Sequence, residues 1–229
     1  MLYYLDTAHL DSIQQAMECF PLSGVTTNPS IISKECQPLG TLLRDIRSCI
    51  GPSRMLFAQV IAREAEQMVR EADALRQWCG PSFSVKIPAT VQGLKAIASI
   101  KRQDPSFHVT ATAIFTPQQA LLCARAGADY VAPYINRLDN FGADGIQVIA
   151  EISRLFSTYK LPCQTVGASF RNVQQIHSCA LAGAGAVTVS PDLLPLLLQH
   201  PLTDAAVEEF KRHWANTYGA KADLIEQLK

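Results

Sequence analysis

Lys86 stands in the run Phe83-Ser84-Val85-Lys86-Ile87-Pro88, where strand alternation puts Phe83, Val85 and Ile87 on one face and Ser84 and Lys86 on the other. A lysine in the middle of a buried-strand pattern is seldom placed there for packing. An amine in a low-dielectric site loses the hydration that stabilises its ammonium form, so the neutral, nucleophilic amine becomes available near neutrality. Neutral amines attack carbonyls. The chemistry that follows is a Schiff base with a ketone or aldehyde, whose iminium draws electrons from a neighbouring carbon–carbon bond and so permits its cleavage or formation. The alternative for Lys86 is a buried ion pair with a carboxylate.

Schiff-base chemistry needs groups that move protons and groups that hold water. Asp6 and Tyr134 can exchange protons, and Asn28, Gln59 and Thr112 are neutral polar side chains suited to placing a water. Alternation puts Asp6 opposite Leu5, Gln59 opposite Ala58 and Val60, and Thr112 opposite Ala111 and Ala113. It also pairs Thr26 with Asn28, Tyr134 with Asn136, and Gly167 with Ser169. Each residue has a structural reading of its own. Thr112 and Ser169 could be satisfied core hydroxyls, Asp6 a loop anchor, and Arg137 a rim arginine in a salt bridge.

Eight short apolar or β-branched runs would position these groups. The candidate strands are Leu2–Asp6, Gly24–Asn28, Leu56–Ile61, Phe83–Pro88, His108–Phe115, Tyr130–Arg137, Gln164–Phe170 and Ala186–Pro191. Helical stretches lie between them, including Glu64–Trp78, Val91–Lys101, Pro117–Ala126, Asp144–Tyr159, Val173–Ala182 and Leu193–Gln199. Thr116-Pro117 and Pro191-Asp192 read as helix starts. Eight regularly spaced units favour an α/β protein with a single (β/α)8, or TIM, barrel over an open doubly wound sheet, and no G-x-G-x-x-G turn follows the first strand. The polar residues fall at or near the carboxyl ends of strands, where such barrels carry their sites. The expected organisation is one domain over 1–229, with residues 203–229 as a C-terminal helical extension presenting Phe210, Trp214 and Tyr218 four residues apart.

Composition agrees with a large buried core and a small ligand. Hydrophobic residues make up 48% of the 229 residues and charged residues 17%, which excludes a disordered chain. Twenty basic residues balance twenty acidic ones, so no net field recruits nucleic acid or anionic lipid. The seven cysteines are odd in number and lack any C-x-x-C pair or zinc spacing, which reads as buried, reduced thiols. The sequence runs into Leu2-Tyr3-Tyr4-Leu5-Asp6 without a signal-like segment and holds no membrane-length apolar run, so the expectation is a cytoplasmic protein with no membrane partner.

Four segments carry a family resemblance: Gly24-Val25-Thr26-Thr27-Asn28-Pro29-Ser30-Ile31-Ile32, Phe83-Ser84-Val85-Lys86-Ile87-Pro88, Tyr130-Val131-Ala132-Pro133-Tyr134-Ile135-Asn136-Arg137 and Gly167-Ala168-Ser169-Phe170. They resemble the small transaldolase family, and within it the fructose-6-phosphate aldolases, from Leu2 to about Trp214. The resemblance implies a (β/α)8 barrel and a class I aldol mechanism with no metal or other cofactor. It places the Schiff-base lysine at Lys86, the catalytic aspartate at Asp6 with Asn28 and Thr112 beside it, and the sugar-phosphate contacts at Arg137 and Ser169. Thr26 joins Asn28 as a substrate-binding candidate.

Gln59 and Tyr134 match the aldolases, where the transaldolases carry Glu and Phe. The implied reaction is reversible cleavage of fructose 6-phosphate to dihydroxyacetone and glyceraldehyde 3-phosphate. The alternatives are transaldolase transfer of a dihydroxyacetone unit between sugar phosphates, and a non-catalytic sugar-phosphate-binding barrel. The resemblance also implies rings in which the terminal helix crosses to the next subunit, hence a homo-oligomer, with a decamer of two pentamers as the suggested arrangement. The sequence departs from the aldolase pattern at Phe115, where tyrosine is usual, at Gly167, where alanine is usual, and at Arg171-Asn172-Val173.

Overall fold

A computed structural model describes residues 1–228. Eight strands close into a parallel barrel in sequence order, β1 (Leu2–Asp6), β2 (Gly24–Thr26), β3 (Met55–Gln59), β4 (Phe83–Pro88), β5 (His108–Ile114), β6 (Tyr130–Pro133), β7 (Gln164–Gly167) and β8 (Ala186–Val189), with β8 pairing back to β1. Helices α1 (Leu10–Cys19), α2 (Pro29–Ile32), α3 (Leu39–Ile50), α4 (Ala65–Cys79), α5 (Val91–Gln103), α6 (Pro117–Arg125), α7 (Ile135–Asn140), α8 (Gly145–Thr158) and α9 (Val173–Leu181) connect them, and α10 (Pro201–Tyr218) and α11 (Leu224–Gln227) follow. This is the (β/α)8 barrel that the alternating pattern predicts.

Apolar alternation explains both sides of the wall. Leu5, Val25, Leu56, Ala58, Val85 and Ile87 are fully buried on the helix-facing side, while Tyr4, Phe57 and Val166 fill the interior with Met55 and Tyr130 packed against them. Helix starts are set chemically. Thr116 accepts from the Gln119 amide in a capping box with Pro117 in the first turn, and Thr90 accepts from the Gly93 amide at the start of α5. That start lies close against the end of β4, where a Cβ on Gly93 would sit 1.9 Å from the Pro88 carbonyl oxygen.

The strands are shorter than the apolar runs suggest, because capping turns take over at their carboxyl ends. Asn28 leaves β2 to cap α2 by accepting from the Ile31 amide at 3.0 Å, with Pro29 fixing the first helical φ. Tyr134 is the N-cap of α7, so Asn136 and Arg137 are helical rather than strand residues. The expected helix at 193–199 is only a short 3-10 turn, Pro195–Leu197, and Pro191-Asp192 begins a turn instead of an α-helix. Pro201 holds His200 extended at φ −149° and ψ 123°, which separates that stretch from α10.

Cysteine burial is only partly as expected. Cys79, Cys123, Cys163 and Cys179 are buried, whereas Cys19 and Cys36 are exposed and Cys49 is half-buried; all seven are free. Cys19 ends α1 and Cys36 lies in the loop between α2 and α3. Burial pushes the thiols of Cys79 and Cys179 up to about 12 and that of Cys123 to about 11, which keeps them as inert core groups.

The chain divides into two compact units, the barrel from Met1 to Leu193 and a helical segment from Leu194 onward. Within the second, the Trp214 indole donates to the Ala222 carbonyl at 3.0 Å and its ring packs on Tyr218 with centroids 4.4 Å apart. Leu202, Phe210, Ile225 and Leu228 of this segment are exposed. Lys229 lies outside the described residues.

Candidate active site

A cavity of about 430 Å³ opens at the carboxyl ends of the strands. Among its lining residues are Asp6, Thr26, Asn28, Gln59, Lys86, Tyr134, Arg137 and Ser169. Those residues, drawn from six strand ends and the turns after them, converge because βα turns of a closed barrel all meet at one rim.

Lys86 sits on β4 in register with Gln59 of β3 and Thr110 of β5. It is 6% exposed, and its Nζ donates to the Thr27 carbonyl at 2.8 Å. Among the described residues it forms no salt bridge, so the amine is held by a neutral acceptor with the cavity beside it. The Thr27 backbone is itself fixed, since its hydroxyl donates to the Phe57 carbonyl at 2.8 Å and its amide to the same oxygen at 3.0 Å.

Asp6 closes β1 with one face open to the cavity. Its Oδ1 accepts from the Thr26 hydroxyl at 2.7 Å. Burial raises its pKa above the usual carboxylate value, and the Lys86 charge and the Thr26 hydrogen bond only partly oppose that rise. An aspartate of this kind holds a proton to higher pH than a surface aspartate and is suited to give one up inside the site.

Tyr134 is fixed from three sides. Its hydroxyl is 3.0 Å from the Thr112 hydroxyl, the Phe115 ring meets it edge-on with centroids 5.6 Å apart, and the Arg137 guanidinium lies 4.8 Å over its face. Thr112 is fully buried behind the phenol and does not itself line the cavity. A bulge makes this contact possible. Between the pairs Ala111↔Val131 and Ile114↔Pro133, β5 advances three residues while β6 advances two, and Ala113 takes a φ of +56°. Phe115 therefore packs on the tyrosine, while Arg171, the other departure at this end, is exposed with its amide donating to Gln175.

Alternation misplaces Ser169. The interior residues of β7 and its extension are Val166 and Ala168, and Ser169 reaches the cavity only because it lies past the strand with a φ of +63°. Gly167 points away from the cavity, toward α9, where a Cβ would lie 2.4 Å from Cys179 Sγ. The glycine at this position therefore reflects packing of α9 on the barrel and leaves the cavity unchanged.

Three contributors escaped the sequence reading. Thr188 of β8 lines the cavity and is hydrogen-bonded to Thr26; Thr110 lines it below Lys86 and pairs with Ser84 at 2.7 Å; Ala113 lines it through the bulge. Alternation in Ala186-Val187-Thr188-Val189 carried a signal for Thr188, since it stands opposite two valines. Among the described residues, no group of three or more His, Cys, Asp or Glu side chains is arranged to hold a metal ion.

The chain has relatives among known proteins. The family described as Transaldolase/Fructose-6-phosphate aldolase matches residues 3–227, beyond the stretch where the motifs lie. A protein of Exiguobacterium sibiricum named "Probable transaldolase" is 41% identical over 214 residues, covering 93% of this chain and 98% of the relative. Two solved structures of a mandelate oxidase variant superpose with a TM-score of 0.57 at 12% identity over 83% of this chain; the chain spans 64% and 65% of their length, and the likeness is one of fold.

Proposed function

The chain belongs to the transaldolase/fructose-6-phosphate aldolase family, and from that premise we propose that it is a class I aldolase cleaving fructose 6-phosphate reversibly to dihydroxyacetone and glyceraldehyde 3-phosphate. The observation that carries this reading is Lys86, a buried amine facing a polar cavity and held by a carbonyl instead of a carboxylate. A non-catalytic binding barrel has no use for such an amine.

The chemistry runs as follows. The neutral Nζ of Lys86 attacks the C2 carbonyl, and the carbinolamine loses its hydroxyl as water with a proton from Asp6, leaving an iminium. Tyr134, held by the Thr112 hydroxyl and acting through a water placed by Gln59, takes the C4 hydroxyl proton. The C3–C4 electron pair then moves into the iminium to give an enamine, and glyceraldehyde 3-phosphate leaves. Protonation of the enamine at C3 and hydrolysis of the resulting iminium release dihydroxyacetone and restore the amine. Asn28 and Thr26 bind the ketose end. Arg137 and Ser169 receive the phosphate; a guanidinium at the rim suits a phosphate because it donates two parallel charge-assisted hydrogen bonds.

Borohydride reduction in the presence of dihydroxyacetone tests the core of this reading. The expected result is a mass addition on the peptide carrying Lys86, and active enzyme left unmodified there would overturn it.

A second reading, transaldolase, is supported by the name of the 41% identical relative. The clamped Tyr134, in a cavity that Gln59 also lines, favours the aldolase, because a phenol can deliver the proton that frees the enamine and a phenyl cannot. Assays with and without an acceptor aldehyde separate the two. Tyr134→Phe is expected to lower cleavage about 10²-fold and to favour transfer, with the fold intact by circular dichroism; unchanged cleavage would remove the role given to the phenol.

The same reading makes the enzyme cytoplasmic and a homo-oligomer. No described helix is long and apolar enough to cross a membrane, and the exposed apolar residues of the C-terminal segment favour burial against another copy. Light scattering that gives a monomer at all concentrations would remove the oligomer.

A further inference from the structure

Thr188 sits where the barrel closes. It pairs in register with Tyr4 across the β8–β1 seam, while Asp6, two residues past Tyr4, pairs with Thr26 on the other side of β1. The Thr188 and Thr26 side chains reach toward one another within the barrel and are hydrogen-bonded through their hydroxyls. Both residues are buried, and Thr26 Oγ1 donates onward to Asp6 Oδ1 at 2.7 Å. Three residues from three adjacent strands thus form one chain of hydrogen bonds ending on the carboxylate.

Hydrogen counting fixes the direction of that chain. An ionised Asp6 can only accept, so the single Thr26 hydrogen goes to it, and Thr188 must supply the hydrogen between the two threonines. With Asp6 protonated the order can reverse, the carboxyl donating to Thr26 and Thr26 to Thr188, so that Thr188 becomes the acceptor. A threonine at 188 serves both states, and an apolar residue of the same shape serves neither. Hydrogen bonds that end on a charge are the stronger ones and polarise their neighbours, so the chain favours the ionised state more than the neutral one.

We infer that Thr188 is a positioning residue that sets the protonation of Asp6 through the Thr26 hydroxyl, and so tunes the proton donor for carbinolamine dehydration. The inference rests on the role given to Asp6 in the aldolase reading. The charged and titratable groups facing Asp6 are Lys86 from β4 and, lining the same cavity, Tyr134 and Arg137 from the turn and helix after β6. None of these touches Thr188 by hydrogen bond, and among the described residues the hydrogen-bonded route from Thr188 to Asp6 runs through Thr26.

The test follows the Asp6 carboxyl directly by carbon NMR of aspartate-labelled protein, with the resonance assigned by its absence in Asp6→Asn. Thr188→Val should move the Asp6 titration midpoint to higher pH, beyond the spread of repeat titrations, and Thr188→Ser should return it. In turnover, the pH profile of kcat should shift the same way in Thr188→Val with KM unchanged. Thr188→Cys keeps the volume while offering only a weak donor; it should give a smaller upward shift, and it supplies the reading if the valine variant does not fold. A midpoint that stays in place in folded Thr188→Val or Thr188→Cys overturns the inference. So does a shift that serine fails to reverse. Failure of borohydride trapping at Lys86 in the wild-type protein would remove the aldolase reading instead, and the titration would still decide whether Thr188 controls Asp6.

Discussion

The floor and the mouth of the barrel interior are made by the same strands, two residues apart. On β1 the inward residue passes from Tyr4 to Asp6, on β3 from Phe57 to Gln59, and on β4 from Ser84 to Lys86. The floor is an aromatic plug, with Phe57 edge-on to Tyr4 at 4.9 Å and to Tyr130 at 5.7 Å. The mouth holds a carboxyl, an amine, a phenol and an amide around open volume. Backbone conformation separates them as well. Ala113 and Ser169, two of the four non-glycine residues with positive φ among the described residues, line the mouth, whereas Tyr4, Phe57, Tyr130 and Val166 are regular strand residues. A packed floor closes the amine off from water on that side and leaves it facing only the cavity.

Removing the amine should separate the layers most sharply. Lys86→Met is expected to cut cleavage by at least about three orders of magnitude, measured by product formation, with little loss of stability, because the substitution keeps the volume and takes away only the nucleophile. A folded Lys86→Met enzyme retaining a tenth of the activity would dissolve the distinction between floor and mouth.

The floor should respond in the opposite sense. Phe57→Ala leaves a cavity in a fully buried aromatic cluster and should cost about 3 to 5 kcal/mol, seen as a melting temperature lower by roughly 6 to 20 °C. Wild-type stability in that variant would mean that the plug carries no packing energy.

Asp6 sharpens the comparison through pH. Its pKa in the folded chain is raised above the ordinary 3.8, so its contribution to stability is fully present below that value and is lost as pH rises through the raised one. Asp6→Asn does not titrate. Its stability relative to wild type should therefore climb with pH over that window and level off above it, as followed by denaturant melts from pH 4 to 8. A difference that falls with rising pH would reverse the assignment of burial as the dominant cause.

The smallest effect belongs to the strained backbone. Ala113→Gly relieves a left-handed alanine but loosens the unfolded chain, for a net gain below about 1 kcal/mol. Ala58→Gly, in the regular part of β3, should lose stability by a similar amount. Equal signs for the two would show that the bulge stores no strain.

Legibility in the sequence follows the same division. Alternation identified the inward faces for Asp6, Gln59 and Lys86 because each lies within a regular strand, where neighbouring Cβ atoms must point to opposite sides. It failed past the strand ends. Arg137 rides on a helix and Ser169 depends on a left-handed turn, whereas Asn28, though it caps a helix, lines the cavity with Thr26 as alternation places it. A helical turn, or one positive φ, undoes a count by twos.

What the sequence determined by itself was short-range: eight runs with alternating faces, caps such as Thr116-Pro117, and a lysine in an apolar strand. These depend on sterics and hydrogen bonds between residues a few positions apart, so they can be read in order along the chain. Only the tertiary structure decided that β8 returns to β1, that Thr188 meets Thr26 across 162 positions, and that the bulge at Ala113 lets Thr112 meet the Tyr134 hydroxyl. Those contacts arise from closure of the sheet, which minimises unpaired edges for the barrel as a whole and leaves no local mark on the residues it brings together.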